Sequence, residues 1–121
     1  MNITKFMANK RQPVAVIDQA TRLLSVQDIL DVMANAQYSN NCGGLVIYSE
    51  SLGEAFFDLR SGYAGEVLQK FSNYDIKLAV IGDFSQCQSQ SFRDFMGECN
   101  RGNRVFFKPS LEAGLRALTA F

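Results

Sequence analysis

The feature that most constrains this chain is an alternation of two hydrophobic periods. Four short apolar runs, at residues 14–17, 45–48, 78–81 and 105–107, are separated by segments whose apolar residues recur at helical spacing. A short continuous apolar run is the pattern of a strand buried on both faces of a parallel sheet. Helical segments between such runs supply the crossovers that parallel strands need. Ahead of the first run, residues 3–8 alternate weakly, and Asn9-Lys10-Arg11-Gln12-Pro13 makes a polar turn. This predicts an N-terminal β-hairpin whose second strand is the run at 14–17. The predicted order is β-β-α-β-α-β-α-β-α. It makes one α/β domain over residues 1–121, an N-terminal β-hairpin followed by four β-α units, with a mainly parallel five-stranded sheet and right-handed crossovers. At 121 residues the chain has room for one core.

The helices have start signals. Ser25 precedes Asp28 in capping-box spacing, and Val26, Ile29, Leu30 and Met33 then follow the i, i+3, i+4, i+7 rule. The run 40–44, Asn-Asn-Cys-Gly-Gly, ends that helix. Ser61-Gly62 starts the second, with Ala64, Val67, Leu68 and Phe71 on its inner face and Glu66, Gln69, Lys70 and Asn73 on its outer face. Glu66 and Lys70 have the spacing of a favourable i, i+4 pair. Ser91 and Asp94 repeat the capping-box spacing before Phe92, Phe95, Met96 and Cys99, and Gly102 stops that helix. Ser110 caps a last helix carrying Leu111, Leu115 and Leu118. Residues 49–60 fit neither period, because Phe56 and Phe57 are adjacent; they read as a loop with a short helical or extended piece.

Composition removes whole classes of chemistry. The chain has no His, so Ser-His-Asp and Cys-His nucleophile schemes, His zinc ligands and a His pH switch are all excluded. Neither a G-x-x-x-x-G-K-[ST] loop nor a G-x-G-x-x-G fingerprint occurs, and no cofactor or metal is expected. Glu50, Glu54 and Asp58 read as solvated surface rather than as a Mg²⁺ site. Lys plus Arg equals Asp plus Glu, at 12 each. Arg93, Arg101, Arg104 and Lys108 are offset by Asp94 and Glu98, so nucleic acid is not an expected partner. Three cysteines without a C-x-x-C read as reduced thiols in the cytoplasm, with Cys99 in the core and Cys42 and Cys87 in loops and open to solvent. Residues 1–13 lack the apolar segment of a signal peptide, and no run is long enough to span a bilayer, so no membrane partner is expected.

In an open α/β sheet, ligands gather outside the carboxyl ends of the strands. That rim collects Asp18, Ser49, Glu50, Asp83, Ser85 and Lys108, with helix starts at Ser25, Ser61, Ser91 and Ser110 pointing the same way. Serine at such positions is first of all a helix cap. Phe56-Phe57 and Phe106-Phe107 read as core; a ring of either pair left exposed would mark an interaction surface.

The order of elements resembles that of the STAS domains, whose prototype is the bacterial anti-sigma factor antagonist, over nearly the whole chain. Asp58-Leu59-Arg60-Ser61-Gly62 is similar to the Asp-Ser-Ser-Gly-Leu-Gly stretch at the start of the second STAS helix. The resemblance places Ser61 on the serine that accepts phosphate from a partner kinase, Gly62 on the glycine after it and Asp58 on the aspartate before it. Two residues rather than one separate Asp58 from Ser61, and Arg60 replaces a serine. The stretches Phe56-Phe57-Asp58-Leu59-Arg60-Ser61-Gly62-Tyr63-Ala64-Gly65, Ser91-Phe92-Arg93-Asp94-Phe95 and Asn100-Arg101-Gly102-Asn103 also resemble a bacterial family described as a domain of unknown function.

The expected function is a cytoplasmic, STAS-like regulatory module, more a binder than an enzyme, that docks a protein partner. Its expected surface is Asp58, Arg60, Gly62, Glu66, Lys70 and Asn73, with Asp83, Ser85 and Arg93 on the neighbouring rim. Ser61 is expected as a helix cap or a phosphoacceptor. Two alternatives stay open. One is a small-ligand or anion binder, or a His-free enzyme, using Asp58, Asp83 and Arg93 in a concave pocket between residues 49–61 and 83–91. The other is a homodimer formed by edge pairing through residues 3–8.

Overall fold

A computed structural model describes residues 3–6, 13–39 and 42–119. The elements are β1 (Ile3–Phe6), β2 (Val14–Ile17), α1 (Val26–Ala34), β3 (Gly44–Tyr48), α2 (Ser49–Phe56), α3 (Tyr63–Asn73), β4 (Lys77–Ile81), α4 (Gln90–Arg101), β5 (Val105–Lys108) and α5 (Leu111–Thr119). The fold is α/β. β2, β3, β4 and β5 form a four-stranded parallel sheet in sequence order. β1 lies antiparallel beside β2, with Ile3 opposite Ile17. The polar turn expected between them falls largely on residues 7–12, outside the described residues.

The apolar runs are buried on both faces, as the sequence requires. Ala15, Ile17, Leu45, Ile47, Leu78, Val80, Val105 and Phe107 point to one core, with residues of α1, α2, α3 and α4. Val14, Val16, Val46, Ala79, Ile81 and Phe106 point to a second, smaller core under Leu111, Leu115 and Leu118 of α5. This asymmetry follows from the strand order. Each crossover moves to the next strand in the same direction, and crossovers of the right-handed kind that parallel strands favour then all fall on one face, where residues of α1 to α4 pack. Among the described helices, α5 alone covers the other face. It sits close, because Gly114 has no side chain: a Cβ there would lie 2.5 Å from Cδ1 of Ile81 and 3.3 Å from Cβ of Ala79.

Three local readings need correcting. Residues 49–60 hold a helix, α2, broken at Gly53, whose φ of 75° and ψ of 175° suit glycine alone. The break shifts the helical phase between residues 49–52 and 54–56, which hid the period. Helix α4 starts two residues early: Ser89, not Ser91, is its cap, and its Oγ accepts from the Phe92 N–H at 3.2 Å. The spacing to Asp94 misled, because Asp94 instead accepts from the Gln90 side chain at 2.9 Å. Cys42 is buried rather than open, in the core with Val32, Met33 and Ala36 of the α1 segment. Cys99 and Cys87 are half-buried, and no disulfide joins any of the three cysteines. Ser25 and Ser110 do cap α1 and α5, accepting from Asp28 and Ala113 N–H at 3.1 Å each. Glu66 and Lys70 do not pair; the ion pairs among the described residues are Arg60–Asp58, Arg104–Asp75 and Arg116–Glu112.

Candidate interaction surface at the strand-end rim

β3 runs straight into α2 without a linker, and β4 ends at Ile81, with Gly82 next in the chain beside Ser49. The two strand ends are pressed together. A Cβ on Gly82 would overlap the Ser49 hydroxyl and come within 2.8 Å of the Ser49 Cβ. A crevice between strands opens where the strand order reverses, and among the described strands it never does. The rim is therefore shallow.

Its floor is aromatic. Phe56, Phe92 and Phe107 are buried, and Phe57 and Phe84 form the outer edge of the same cluster. The Phe57 ring lies 5.1 Å from Phe56, 5.3 Å from Phe92 and 6.2 Å from Phe84 between centroids, and Phe84 lies 5.6 Å from Phe107. These are edge-to-face and tilted contacts of the kind aromatic rings prefer. Phe56 ends α2 facing inward, and Phe57 turns out into the following bend, half-exposed. Two contiguous hollows share Ser49 and Phe57. One, of about 250 Å³, is lined also by Asp83, Phe84, Gln86 and Cys87. The other, of about 410 Å³, is lined also by Glu50, Gly53 and Glu54. Leu24, 60 % exposed, stands next to Gly53; a Cβ on Gly53 would meet its Cδ2 at 2.8 Å.

A family model described as a domain of unknown function, DUF4180, matches residues 8–118. The chain belongs to the DUF4180 family. No curated protein and no solved structure matches it. The DUF4180 match takes in the whole rim, from Leu24 to Lys108.

Most charged side chains expected at the rim of this DUF4180 domain are committed to their own turns. The Asp58 carboxylate accepts from Arg60 N and Nε, at 3.1 Å each. The Arg60 side chain, followed by its backbone N–H, holds the Asp58 carboxyl below the usual carboxylate range, and Asp58 raises Arg60 in return. Asp83 accepts from the hydroxyl and N–H of Ser85 at 2.6 and 3.1 Å, which lowers its pKa in the same way. Arg93 donates to the Cys87 carbonyl at 2.6 Å, pinning the loop before α4. Asp18 accepts from Ala20 N–H at 2.7 Å. Lys108 lies 6.0 Å over the Phe106 ring. Ser61 donates to the Ala55 carbonyl at 2.6 Å and accepts from Tyr63 N–H at 3.1 Å. It bridges α2 to α3 but is not the α3 N-cap; Gly62 is, with a left-handed φ of 78°. Glu66, Asn73 and the partly exposed Lys70 continue away along α3. Asp58, Asp83 and Arg93 are not brought together as a clamp. Among the described residues no three His, Cys, Asp or Glu side chains gather closely enough to hold a metal, so Glu50, Glu54 and Asp58 do not converge on one.

Sequence reasoning missed Leu24, Gly53 and Glu54 as parts of the surface. The doubled Phe56-Phe57 was the signal available, since one of its rings is left half-open. A second groove, of about 240 Å³, lies at the opposite end of the sheet between α1 and the end of α3, lined by Leu30, Met33, Tyr38 and Tyr74 among others. Among the described residues no helix is long and apolar enough to cross a membrane.

Proposed function

We propose that this chain is a bacterial, cytoplasmic, STAS-like interaction module that docks a protein partner at the ends of β3 and β4. The observation that carries the reading is the half-open aromatic floor of Phe57 and Phe84 in a groove too shallow to enclose a reaction. Aromatic side chains in such a setting supply large contact area at low entropic cost, and they lead the residues that dominate interfaces. The charged neighbours Asp58, Asp83 and Arg93 are held in turns, which suits a rigid docking surface better than acid–base work. Three cysteines without a disulfide suit a reducing compartment.

Ser61 is the position proposed as the switch. The residue is exposed, and its hydroxyl donates to the Ala55 carbonyl. A phosphoryl group there would remove that donated bond and set two negative charges beside a carbonyl oxygen. The bend carrying Phe57 would be loosened, so modification would be felt at the groove. Arg60 is turned to Asp58, and would have to exchange partners to meet the phosphate.

The test is quantitative affinity capture from the native host with tagged wild type, Leu24→Gln and Phe57→Gln, after checking that each melts cooperatively. A partner enriched by the wild type and reduced about tenfold or more by both variants supports rim docking. A partner set indifferent to both variants sinks it. Intact-mass analysis of the captured protein reads the switch: a phosphate on Ser61 that lowers partner recovery supports it, and an unmodified Ser61 under every growth condition removes it.

A further inference from the structure

The chemistry of the groove's edge narrows what can occupy it. Glu50 and Glu54 flank Gly53 and Phe57 on one hollow, and Asp83 flanks Phe84 on the other. All three carboxylates are exposed. Neither Glu50 nor Glu54 belongs to any of the ion pairs among the described residues. No Lys or Arg lines either hollow. Cations on the segments that build the rim are turned to other groups: Arg22 to the Gln19 carbonyl, Arg60 to Asp58, Arg93 to the Cys87 carbonyl and Lys108 over Phe106. The groove thus has an apolar floor from Leu24 and Phe57 to Phe84, with negative charge along its edges and no positive charge among its lining.

Like charges kept along an exposed apolar strip repel anions and acidic segments, and they steer cationic ones. We infer that the occupant of this groove is a basic amphipathic protein segment, with apolar side chains on Phe57 and Phe84 and Lys or Arg side chains beside Glu50, Glu54 and Asp83. This rests on the rim being the docking surface, and adds the partner's chemistry. Phosphate-bearing ligands, nucleic acid included, are disfavoured at the same edge.

The probe is a short fluorescent peptide alternating leucine and lysine, with a leucine–glutamate peptide of equal length as control. Binding is read by anisotropy and located by amide shifts in ¹H–¹⁵N spectra. The leucine–lysine peptide is expected to bind, shifting Gly53, Phe57 and Phe84. Raising salt from about 50 to about 200 mM is expected to weaken it severalfold, because exposed charges are screened over about 10 Å. The double variant Glu50→Lys/Glu54→Lys, both changes on exposed side chains, is expected to lose at least about tenfold in affinity. Equal binding of the two peptides, an unchanged affinity in the double variant, or shifts confined to the Tyr38–Tyr74 end would each overturn the inference. So would a wild-type dimer in solution that the double variant abolishes, which would seat a second copy in the groove. If Leu24→Gln and Phe57→Gln lose the native partner while the leucine–lysine peptide fails to bind, rim docking stands and its cationic preference falls.

Discussion

Tyr63 joins the start of α3 to the β2–α1 loop through one hydroxyl. It donates to the Leu23 carbonyl at 2.9 Å, and burial, followed by the nearby Asp28 carboxylate, pushes its pKa up to about 12. The folded state therefore favours the neutral phenol. The stability this gives is complete below pH 10, the ordinary tyrosine value, and is lost as pH rises from 10 through 12. An alkaline absorbance titration should show a tyrosine step near pH 12 that vanishes in Tyr63→Phe. Gly53 gives a second prediction at this scale. Its φ of 75° with ψ of 175° is open to glycine and strained for anything else, so Gly53→Ala should lower unfolding free energy by about 1–3 kcal/mol in denaturant titration. Residue roles were legible where one local rule decides them. Ser25 and Ser110 sit three residues before the amide they cap, and sequence spacing finds that. Ser61 was half-legible: a hydroxyl at the start of α3 was expected, but its proton goes to Ala55, six residues back around a bend that no period announces. Cys42 was misplaced because a Gly-rich neighbourhood reads as an open turn, whereas its N–H donates to the Ala36 carbonyl at 2.9 Å and the residue is buried in the main core.

At the scale of elements, the start of α4 separates a true cap from a decoy. Ser89→Ala should cost about 1 kcal/mol, since it orphans the Phe92 N–H. Ser91→Ala, already inside the helix, should stay within about 0.5 kcal/mol of wild type. Denaturant midpoints of the two variants check this. The edge of the sheet at β5 is closed by a side chain rather than a strand: Asn100 of α4 accepts from the outward-facing Phe107 N–H at 2.8 Å. Asn100→Leu should leave that amide unpaired beside the aromatic cluster, at about 1–3 kcal/mol. Most elements could be read from sequence because their apolar spacing holds one period from end to end. Helix α2 could not, because Gly53 resets the phase after four residues. The same helix ends in Phe56, buried in the aromatic cluster, with Phe57 half-exposed at the cluster's edge, so the element hardest to read is the one beside the groove.

At the scale of the whole molecule, the function proposed depends on a fact of topology. Parallel strands in unbroken sequence order send every crossover to one face, leave α5 alone on the other, and bring β3 and β4 together tightly enough that Gly82 cannot carry a side chain. The alternation of apolar runs and helical segments implies a parallel sheet, but not the order of its strands. A reversal would have opened a crevice at the rim, and the depth of the rim is what separates a pocket from a docking surface. Gly82→Ala should show the tightness directly, with a loss of about 1–3 kcal/mol from overpacking against Ser49. The claim that matters most is that partners meet this molecule at Phe57 and not at its other open groove. Affinity capture from the native host, run side by side with wild type, Phe57→Gln, Leu24→Gln and Tyr38→Gln, tests it most directly; Tyr38 is 82 % exposed, so its variant keeps the fold. A partner retained by wild type and Tyr38→Gln and lost by the two rim variants is the expected result. A partner retained by both rim variants and lost by Tyr38→Gln would contradict it, and would move the functional surface to the opposite end of the sheet.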